Sequence, residues 1–152
     1  MVGTDLAGTE LPAGEFEVGG WKAHLWADAT RNDEDAFRYE EDAKAAGAPG
    51  QLVPYSLCHH VVVEATDGVD AMMNRITDEW TDGAALGGLR VDVHAPIESG
   101  TTLQVEGHID AVEEKEGESG RLTIVTHAYT VTTADGDPVY DLEADIVVMG
   151  GD

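Results

Sequence analysis

Apolar and polar residues alternate along the second half of the chain with the period of a β-strand. The clearest stretch is 101–113, where Leu103, Val105 and Ile109 share one face and polar side chains occupy the other. Glycine, proline and acidic turn residues separate the last four stretches of this kind. The pattern predicts strands over residues 71–81, 88–94, 101–113, 121–133 and 139–149.

The first half of the chain has a different spacing. A weak alternation over residues 15–23 predicts a short first strand, and residues 24–30 are expected to form helical turns. A further helix is predicted to begin at Asn32, which is a residue type favoured at helix N-caps and is followed by three acids. Apolar residues then recur at spacings of three and four until Gly47, which is expected to end the helix.

Residues 55–65, YSLCHHVVVEA, are apolar on nearly every side and are therefore expected to be buried on every side. Their position after Pro54 favours a helix over a buried strand. This segment is the one apolar enough to cover a face of the sheet. The predicted fold is therefore α+β: a single hotdog domain over residues 15–150, in which an antiparallel sheet of about five or six strands wraps around a central helix. Residues 1–14 are expected to be a flexible lead-in.

Acidic side chains outnumber basic ones by 31 to 8, which gives a formal net charge of −23 at pH 7. Such a surface repels phosphate backbones and anionic membrane faces, so we expect no nucleic-acid partner and no membrane partner. Molar salt relieves the mutual repulsion of the carboxylates, because the Debye length falls to about 3 Å at 1 M. The charge therefore predicts a protein of a halophile with a salt-rich cytosol. An acidic protein of a non-halophile is the alternative.

Cysteine usage and apolar length bear on the compartment. The single cysteine, Cys58, excludes an internal disulfide and a cysteine-based zinc cluster. No stretch approaches the roughly 20 apolar residues of a membrane span. Residues 1–10 also lack the positive charge of a signal peptide. We expect a cytoplasmic protein with no metal and no cofactor.

Two runs of sequence resemble a known family. The run WADATRNDEDAFRYEEDAKAAGAPGQLVPYSL at residues 26–57 resembles the signature of the MaoC-like hydratases and dehydratases, the (R)-specific enoyl-CoA hydratase group. The run GLRVDVHAPIESG at residues 88–100, followed by TTLQVEGHI, resembles a strand and turn of the same family. The resemblance covers residues 15–150. It implies a hotdog fold and a reaction in which water adds to an enoyl thioester or leaves a 3-hydroxyacyl thioester.

The resemblance also implies where the catalytic groups belong. Counted back from Gly47, the general-base histidine of the family falls on Phe37, and its partner aspartate falls on Asn32. Phenylalanine can neither take nor give a proton, and asparagine cannot act as a base at neutral pH. We therefore predict that the catalytic pair is degenerate in this chain.

The resemblance leaves a binding site for a thioester intact. It implies that backbone N–H groups at the start of the central helix polarise the thioester carbonyl. It also requires cations for the phosphates of coenzyme A, for which Arg38 and Arg121 are candidates besides Arg90. The residues predicted to bind substrate are Pro54, Tyr55, Ser56, Leu57 and Arg90.

Three hypotheses on function follow. In the first, the chain is a non-catalytic, pocket-forming subunit that binds an acyl-CoA or acyl-carrier thioester. It would work as a homodimer or as a heterodimer with a catalytic hotdog subunit, because a lone hotdog leaves a sheet edge open and half a pocket. In the second, it is an active hydratase or thioesterase that uses other residues. In the third, it is a hotdog assembly protein without a ligand.

The second hypothesis needs other catalytic groups, and His59, His60 and Glu64 are the candidates. Adjacent helical residues point about 100° apart, so the two histidines cannot bind one metal together. One is expected in the core and the other at an interface, unless one of them replaces the missing base. Glu64 is expected either to direct water at a thioester or to be solvated at the helix end. The remaining candidates for surface or dimer contacts are His94, His108 and His127.

Overall fold

We describe the fold from a computed structural model, which defines residues 4–76, 83–117 and 120–149. Within these residues the α-helices are α1 (Gly20–Ala29), α2 (Glu40–Ala45), α3 (Cys58–Ala65) and α4 (Gly68–Ile76). The strands are β1 (Gly14–Glu17), β2 (Ala84–Val93), β3 (Thr102–Gly117), β4 (Gly120–Thr133) and β5 (Pro138–Met149). Single 3₁₀ turns occur at Thr4–Leu6, Asp35–Phe37 and Tyr55–Leu57.

The strands form one antiparallel sheet in the order β1-β3-β4-β5-β2. β2 comes directly before β3 in the chain but pairs with β5 at the far edge of the sheet. The inner face of the sheet packs against α3 through one hydrophobic cluster. The predicted α+β hotdog arrangement is confirmed, with five strands in the sheet.

The central helix is held by its burial and by a hydrogen bond from β5. Leu57 and Cys58 are fully buried, as are Val61 and Val62 one turn later. The hydroxyl of Tyr140 on β5 donates to the carbonyl of Cys58 over 3.1 Å. The predicted helix over residues 55–65 is therefore confirmed, with a 3₁₀ turn as its first three residues.

The other end of α3 lies directly against β1, and glycine makes this approach possible. A Cβ atom at Gly14 would lie 1.7 Å from the carbonyl oxygen of Ala65. Because no side chain fits in that space, β1 can cross the end of the helix only with glycine at this position.

One predicted strand is wrong. Residues 71–76 belong to helix α4, and the remainder of the predicted stretch, 77–81, lies outside the described residues. Met72, Met73 and Ile76 are buried at helical spacing, while the residues between them are more exposed. The two helices meet at Asp67 and Gly68, both with positive φ, so α4 starts in a new direction.

The segment between β1 and α3 also differs from the prediction. Residues predicted as one strand over 15–23 divide into β1 and the first turn of α1. The predicted helix from Asn32 to Gly47 is a 3₁₀ turn followed by the short α2, because Tyr39 adopts an extended conformation between them. Asn32 caps no helix: its Oδ1 accepts a hydrogen bond from the N–H of Glu34 at 3.1 Å. Gly47 follows the end of α2 with φ of 94°.

The buried face of β4 is the opposite of the one expected. The alternation over residues 121–133 predicts that Leu122, Ile124 and Ala128 form the apolar face of this strand, but all three are only half-buried. The fully buried residues include Val125 and His127, which alternate with them. Both faces of this central strand are apolar enough to be covered, so the alternation alone does not decide between them.

The segment before β1 lies along β3. Residues 8–11 exchange three backbone hydrogen bonds with Gly107 and Ile109, with N···O distances of 2.7 to 2.9 Å. These contacts place the second half of the expected lead-in on the edge of the sheet.

Candidate functional site

The start of the central helix reaches the surface at Tyr55 and Ser56. Pro54 and Leu57 are buried on either side of Tyr55 and Ser56, which are exposed. The first N–H groups of a helix have no acceptor within the helix and are at the positive end of its dipole. The four residues predicted from this segment are thus brought together, and of their backbone groups the N–H of Tyr55 and the N–H of Ser56 have no backbone acceptor among the described residues. Such free N–H groups can polarise a carbonyl oxygen.

Trp26 of α1 spans the first turn of α3. Its Nε1–H donates to the hydroxyl oxygen of Ser56 over 2.9 Å. Its ring stacks on His60, one helical turn further on, with centroids 5.9 Å apart and planes inclined by 27°. The indole therefore fixes the position of both side chains. Sequence reasoning did not assign a role to Trp26, although it is the first residue of the run that resembles the hydratase signature.

His60 is enclosed by three side chains. The rings of Phe16 and His60 meet edge to face, with their centroids 5.8 Å apart, whereas the rings of Trp26 and His60 are stacked. The ammonium of Lys22 lies 3.4 Å from His60 Nε2 and 4.7 Å from the centroid of the Phe16 ring. An ammonium can only donate, so this contact engages the lone pair on Nε2.

His59, the residue before His60, lies near His127 of β4 and affects its electrostatics. Its Nε2 is buried without a hydrogen-bond partner among the described residues, as are both ring nitrogens of His127 and the hydroxyl of Tyr129. Burial lowers the pKa of His59, and the nearby His60 adds to this effect. The two histidines thus face different environments, as their helical spacing predicts.

His127 was expected at the surface or at a dimer contact, but it is fully buried. Burial, with smaller contributions from Arg75 and His59, lowers its pKa to about 4. Its ring centroid lies 6.2 Å from that of Tyr129, which is buried on the same face of β4. Burial likewise raises the pKa of Tyr129.

Phe37 and Asn32 lie on the segment between α1 and α2. Both are half-buried. The side-chain amide of Gln51 contacts the carbonyls of Phe37 and Arg38 at 2.9 and 3.2 Å and that of Gly20 at 3.0 Å. Gln51 therefore ties this segment to the start of α1. Sequence reasoning missed this residue, since nothing in a loop pattern marks one glutamine as a clamp.

Glu64 and Cys58 occupy different environments on α3. Glu64 is exposed in the last turn, at the opposite end of the helix from Tyr55 and Ser56. Cys58 is buried in the first turn, and burial raises the pKa of its thiol to about 12. A thiol of this kind is a poor nucleophile at neutral pH.

Arg90 is not brought together with Tyr55 and Ser56. It pairs with Glu143 across strands β2 and β5, with Nη1 and Oε2 2.6 Å apart. Leu142 and Ala144, which flank Glu143 in β5, are buried beneath α3. Glu143 and its cross-strand partner Arg90 are therefore on the outer face of the sheet. There it lines a groove of about 370 Å³ whose lining includes five acidic side chains.

Two observations limit the classes of site in the described ranges. Nowhere in residues 4–76, 83–117 and 120–149 do three His, Cys, Asp or Glu side chains come together in a way that could hold a metal ion. Among the helices of the same residues, none has the length and apolar character required to cross a bilayer.

A five-stranded antiparallel sheet around a central helix, whose first turn is exposed at Tyr55 and Ser56, is the hotdog fold of the MaoC-like hydratases and dehydratases. The model of the family described as "FAS1-like, dehydratase domain region" matches residues 5–142. The chain belongs to this family.

Individual relatives agree with this assignment. A UPF0336 protein of Saccharopolyspora erythraea is 26% identical over 141 residues, covering 91% of this chain and 85% of the relative. The HadBC (3R-hydroxyacyl-ACP dehydratase) complex of Mycobacterium tuberculosis is similar with a TM-score of 0.75 and 24% identity, over 95% of this chain and 98% of that one. The MaoC-like dehydratase of Rhodospirillum rubrum has a TM-score of 0.69 and 16% identity, over 100% and 99% of the two chains.

Proposed function

We propose that this chain binds acyl thioesters, acyl-CoA in particular, as a non-catalytic, pocket-forming subunit of a hydratase. The observation that carries the proposal is the pair of residues at the positions of the family's catalytic dyad. Phe37 stands where the general-base histidine belongs, and Asn32 stands where its aspartate belongs. Hydration requires a group that takes a proton from water as the water attacks, and neither side chain can do so.

The other candidate groups support the same reading. The lone pair that His60 would need as a base is engaged by Lys22 at 3.4 Å. His59 directs its Nε2 into the protein, toward β4, and Glu64 is at the far end of the helix. No observation favours the alternative of an active hydratase or thioesterase, which would need one of these three residues at the thioester.

Thioester binding would use the start of α3. In the 3₁₀ turn Tyr55–Leu57 the N–H of Leu57 donates to the carbonyl of Pro54, whereas the N–H groups of Tyr55 and Ser56 have no backbone acceptor among the described residues and could bind a carbonyl oxygen. The exposed Ser56 is held in place by Trp26. This arrangement binds a carbonyl without requiring any proton transfer. It therefore fits a subunit that positions a substrate and leaves the chemistry to a partner.

The sheet supplies an argument for a dimer. Leu86, Leu89 and Val93 of β2 lie on the same face as the residues of β5 that pack beneath α3, yet they are 48%, 47% and 41% exposed. β2 is also an edge strand, with hydrogen-bonding groups unpaired on one side. A second hotdog chain would cover this apolar strip and extend the sheet. The similar HadBC structure is itself a complex by its description.

We propose the cytoplasm of a halophile and the metabolism of fatty acids as the cellular setting, and the charge supports the first of these. The eight basic side chains neutralise only a small part of the charge of the 31 acidic ones, and molar potassium would screen the remaining charge of −23. Binding and activity are therefore best measured in about 2–3 M KCl, chosen to screen these charges.

The proposal is tested with butyryl-CoA and crotonyl-CoA. We expect calorimetry to detect binding of butyryl-CoA, and we expect no hydration of crotonyl-CoA by the isolated chain. Crotonyl-CoA turnover that is lost in His60→Ala and kept in the control His108→Ala would overturn the non-catalytic role. Release of free CoA that is lost in Glu64→Gln would identify a thioesterase. Absence of any acyl-CoA binding would leave an assembly protein.

A further inference from the structure

The basic side chains are distributed unevenly over the structure. Residues 20–38 contain three of the eight basic residues and only four acids, in a chain with 31 acids. Two of the three, Lys22 and Arg31, have no carboxylate partner among the described residues, whereas all five basic residues outside this segment do. Those five are Lys44, Arg75, Arg90, Lys115 and Arg121. The segment formed by α1 and the following loop is thus the part of the surface best suited to an anion.

A cleft of about 500 Å³ opens on this segment. Trp21 and Leu25 contribute its apolar wall and are 69% and 58% exposed. Its polar side is formed by His24, Arg38 and Gln51, with Gly20 completing the lining.

The guanidinium of Arg38 is positioned to bind a ligand in the cleft. Its Nε donates to Asp28 Oδ1 over 2.8 Å, and neither Nη atom has a partner among the described residues. Asp28 Oδ2 is also 3.5 Å from His24 Nε2, so Arg38 and His24 contact the same carboxylate. A guanidinium held through Nε presents its remaining N–H groups as a planar fork, the geometry that matches phosphate.

We propose that this cleft binds the nucleotide end of coenzyme A, with the planar base on Trp21 and a phosphate on Arg38. An exposed indole beside an arginine fork suits a ligand that is flat and aromatic at one point and anionic at the next. The inference rests on the proposed function, since it names the carrier of the thioester bound at α3. It selects Arg38 among the arginines considered for the phosphates, because Arg38 lines the cleft beside Trp21, whereas Arg90 and Arg121 do not line it and pair with acids on the sheet.

The cleft and the thioester site are joined by one helix. Trp21 lies near the start of α1, and Trp26, five residues later, donates to Ser56 at the start of α3. Five helical residues rise by about 7.5 Å, a separation that the flexible pantetheine arm of coenzyme A can cover.

The test uses adenosine 3′,5′-bisphosphate, which has the base and phosphates of coenzyme A but neither pantetheine nor an acyl group. We expect calorimetry in KCl to detect binding, weakened about tenfold or more by Trp21→Ala and by Arg38→Gln. Arg90→Gln removes a surface arginine on the outer face of the sheet and should leave the affinity unchanged. Tryptophan quenching by this ligand should also be lost in Trp21→Phe, which keeps an aromatic ring at the cleft.

A second ligand separates this inference from the proposed function. Butyryl-pantetheine has the thioester and the arm but no nucleotide. If it binds and the bisphosphate does not, the nucleotide cleft is wrong and the thioester site stands. If 4′-phosphopantetheine binds as tightly as coenzyme A and Trp21→Ala has no effect, the cleft holds a phosphate alone and the base-binding role of Trp21 is wrong. If neither butyryl-pantetheine nor the bisphosphate binds, both proposals fail. Arg38→Lys keeps the positive charge but loses the planar fork, and it is the control for a loss of binding that is caused only by unfolding.

Discussion

The indole Nε1 of Trp26 and the hydroxyl oxygen of Ser56 are joined by a hydrogen bond of 2.9 Å between α1 and the first turn of α3. This bond fixes the first turn of the central helix relative to α1, on which Trp26 lies. Because the same indole also stacks on His60, the start of α3 has one defined geometry before any ligand arrives. Preorganisation of this kind lowers the cost of binding a carbonyl.

The first prediction concerns this bond. Trp26→Phe keeps an aromatic ring against His60 but removes the donor, and Ser56→Ala removes the acceptor. We expect each change to weaken butyryl-CoA binding by about fivefold, in line with one hydrogen bond of roughly 1 kcal/mol. The double variant should be little worse than either single one, because both remove the same bond. Additive losses in calorimetry would show that the two side chains act independently.

The second prediction concerns the edge strand. Leu89→Asp places a charge in the middle of the exposed apolar strip of β2 and should convert a dimer to single chains. We expect the dissociation constant of the dimer to rise about 100-fold, because burial of one leucine side chain is worth roughly 1.5–3 kcal/mol before the added cost of a charge. Light scattering after gel filtration in KCl measures the mass.

The neighbouring Arg90→Gln is the matched control for that experiment, since Arg90 is on the outer face of the sheet. It should leave the mass unchanged. A Leu89→Asp protein that remains dimeric would place the interface elsewhere.

The third prediction follows from the burial of Cys58. With the pKa of the thiol raised to about 12, roughly one thiol in ten thousand is ionised at pH 8. Iodoacetamide should therefore leave the native protein unmodified over hours and alkylate it within minutes in denaturant. Mass spectrometry gives an unambiguous result, because this is the single cysteine of the chain. Rapid alkylation of the native protein would contradict the packing of α3 on β5.

The fourth prediction concerns His127 and acid. Its folded-state pKa of about 4 is below the ordinary value of 6.5, so below pH 6.5 the unfolded chain takes up a proton that the folded chain does not. The stability that neutral His127 contributes is therefore complete above pH 6.5 and is lost as the pH falls toward 4. The loss amounts to about 3 kcal/mol in the free energy of unfolding.

His127→Leu removes this dependence. Urea unfolding should find that the stability of the variant, relative to the natural protein, grows by about 3 kcal/mol between pH 7.5 and pH 4. At neutral pH the variant should be at least as stable, because it no longer buries two unpartnered nitrogens. His108→Asn changes an exposed histidine and should give no such trend. An equal trend in both variants would refute the assignment to His127.

The sequence by itself determined those elements whose pattern allows one solution. The stretch after Pro54 is apolar on nearly every side and can satisfy its burial only at the centre of the fold. The strands around Leu103 and Leu142 have one clearly apolar face, so their orientation follows from alternation. The charge of −23 and the residues at positions 32 and 37 are also properties of the sequence alone, and they direct the functional hypothesis.

Only the tertiary structure decided the elements whose local pattern is compatible with two arrangements. Residues 71–76 satisfy a helical face as well as a strand, and packing against the core selects the helix. β4 is apolar on both faces, so its partners β3 and β5 decide that His127 is buried. The contacts of Trp26 with Ser56 and of Lys22 with His60 join residues 30 and 38 positions apart. Local periodicity reports which side of an element is apolar, but which distant side chains meet there depends on how the chain closes on itself.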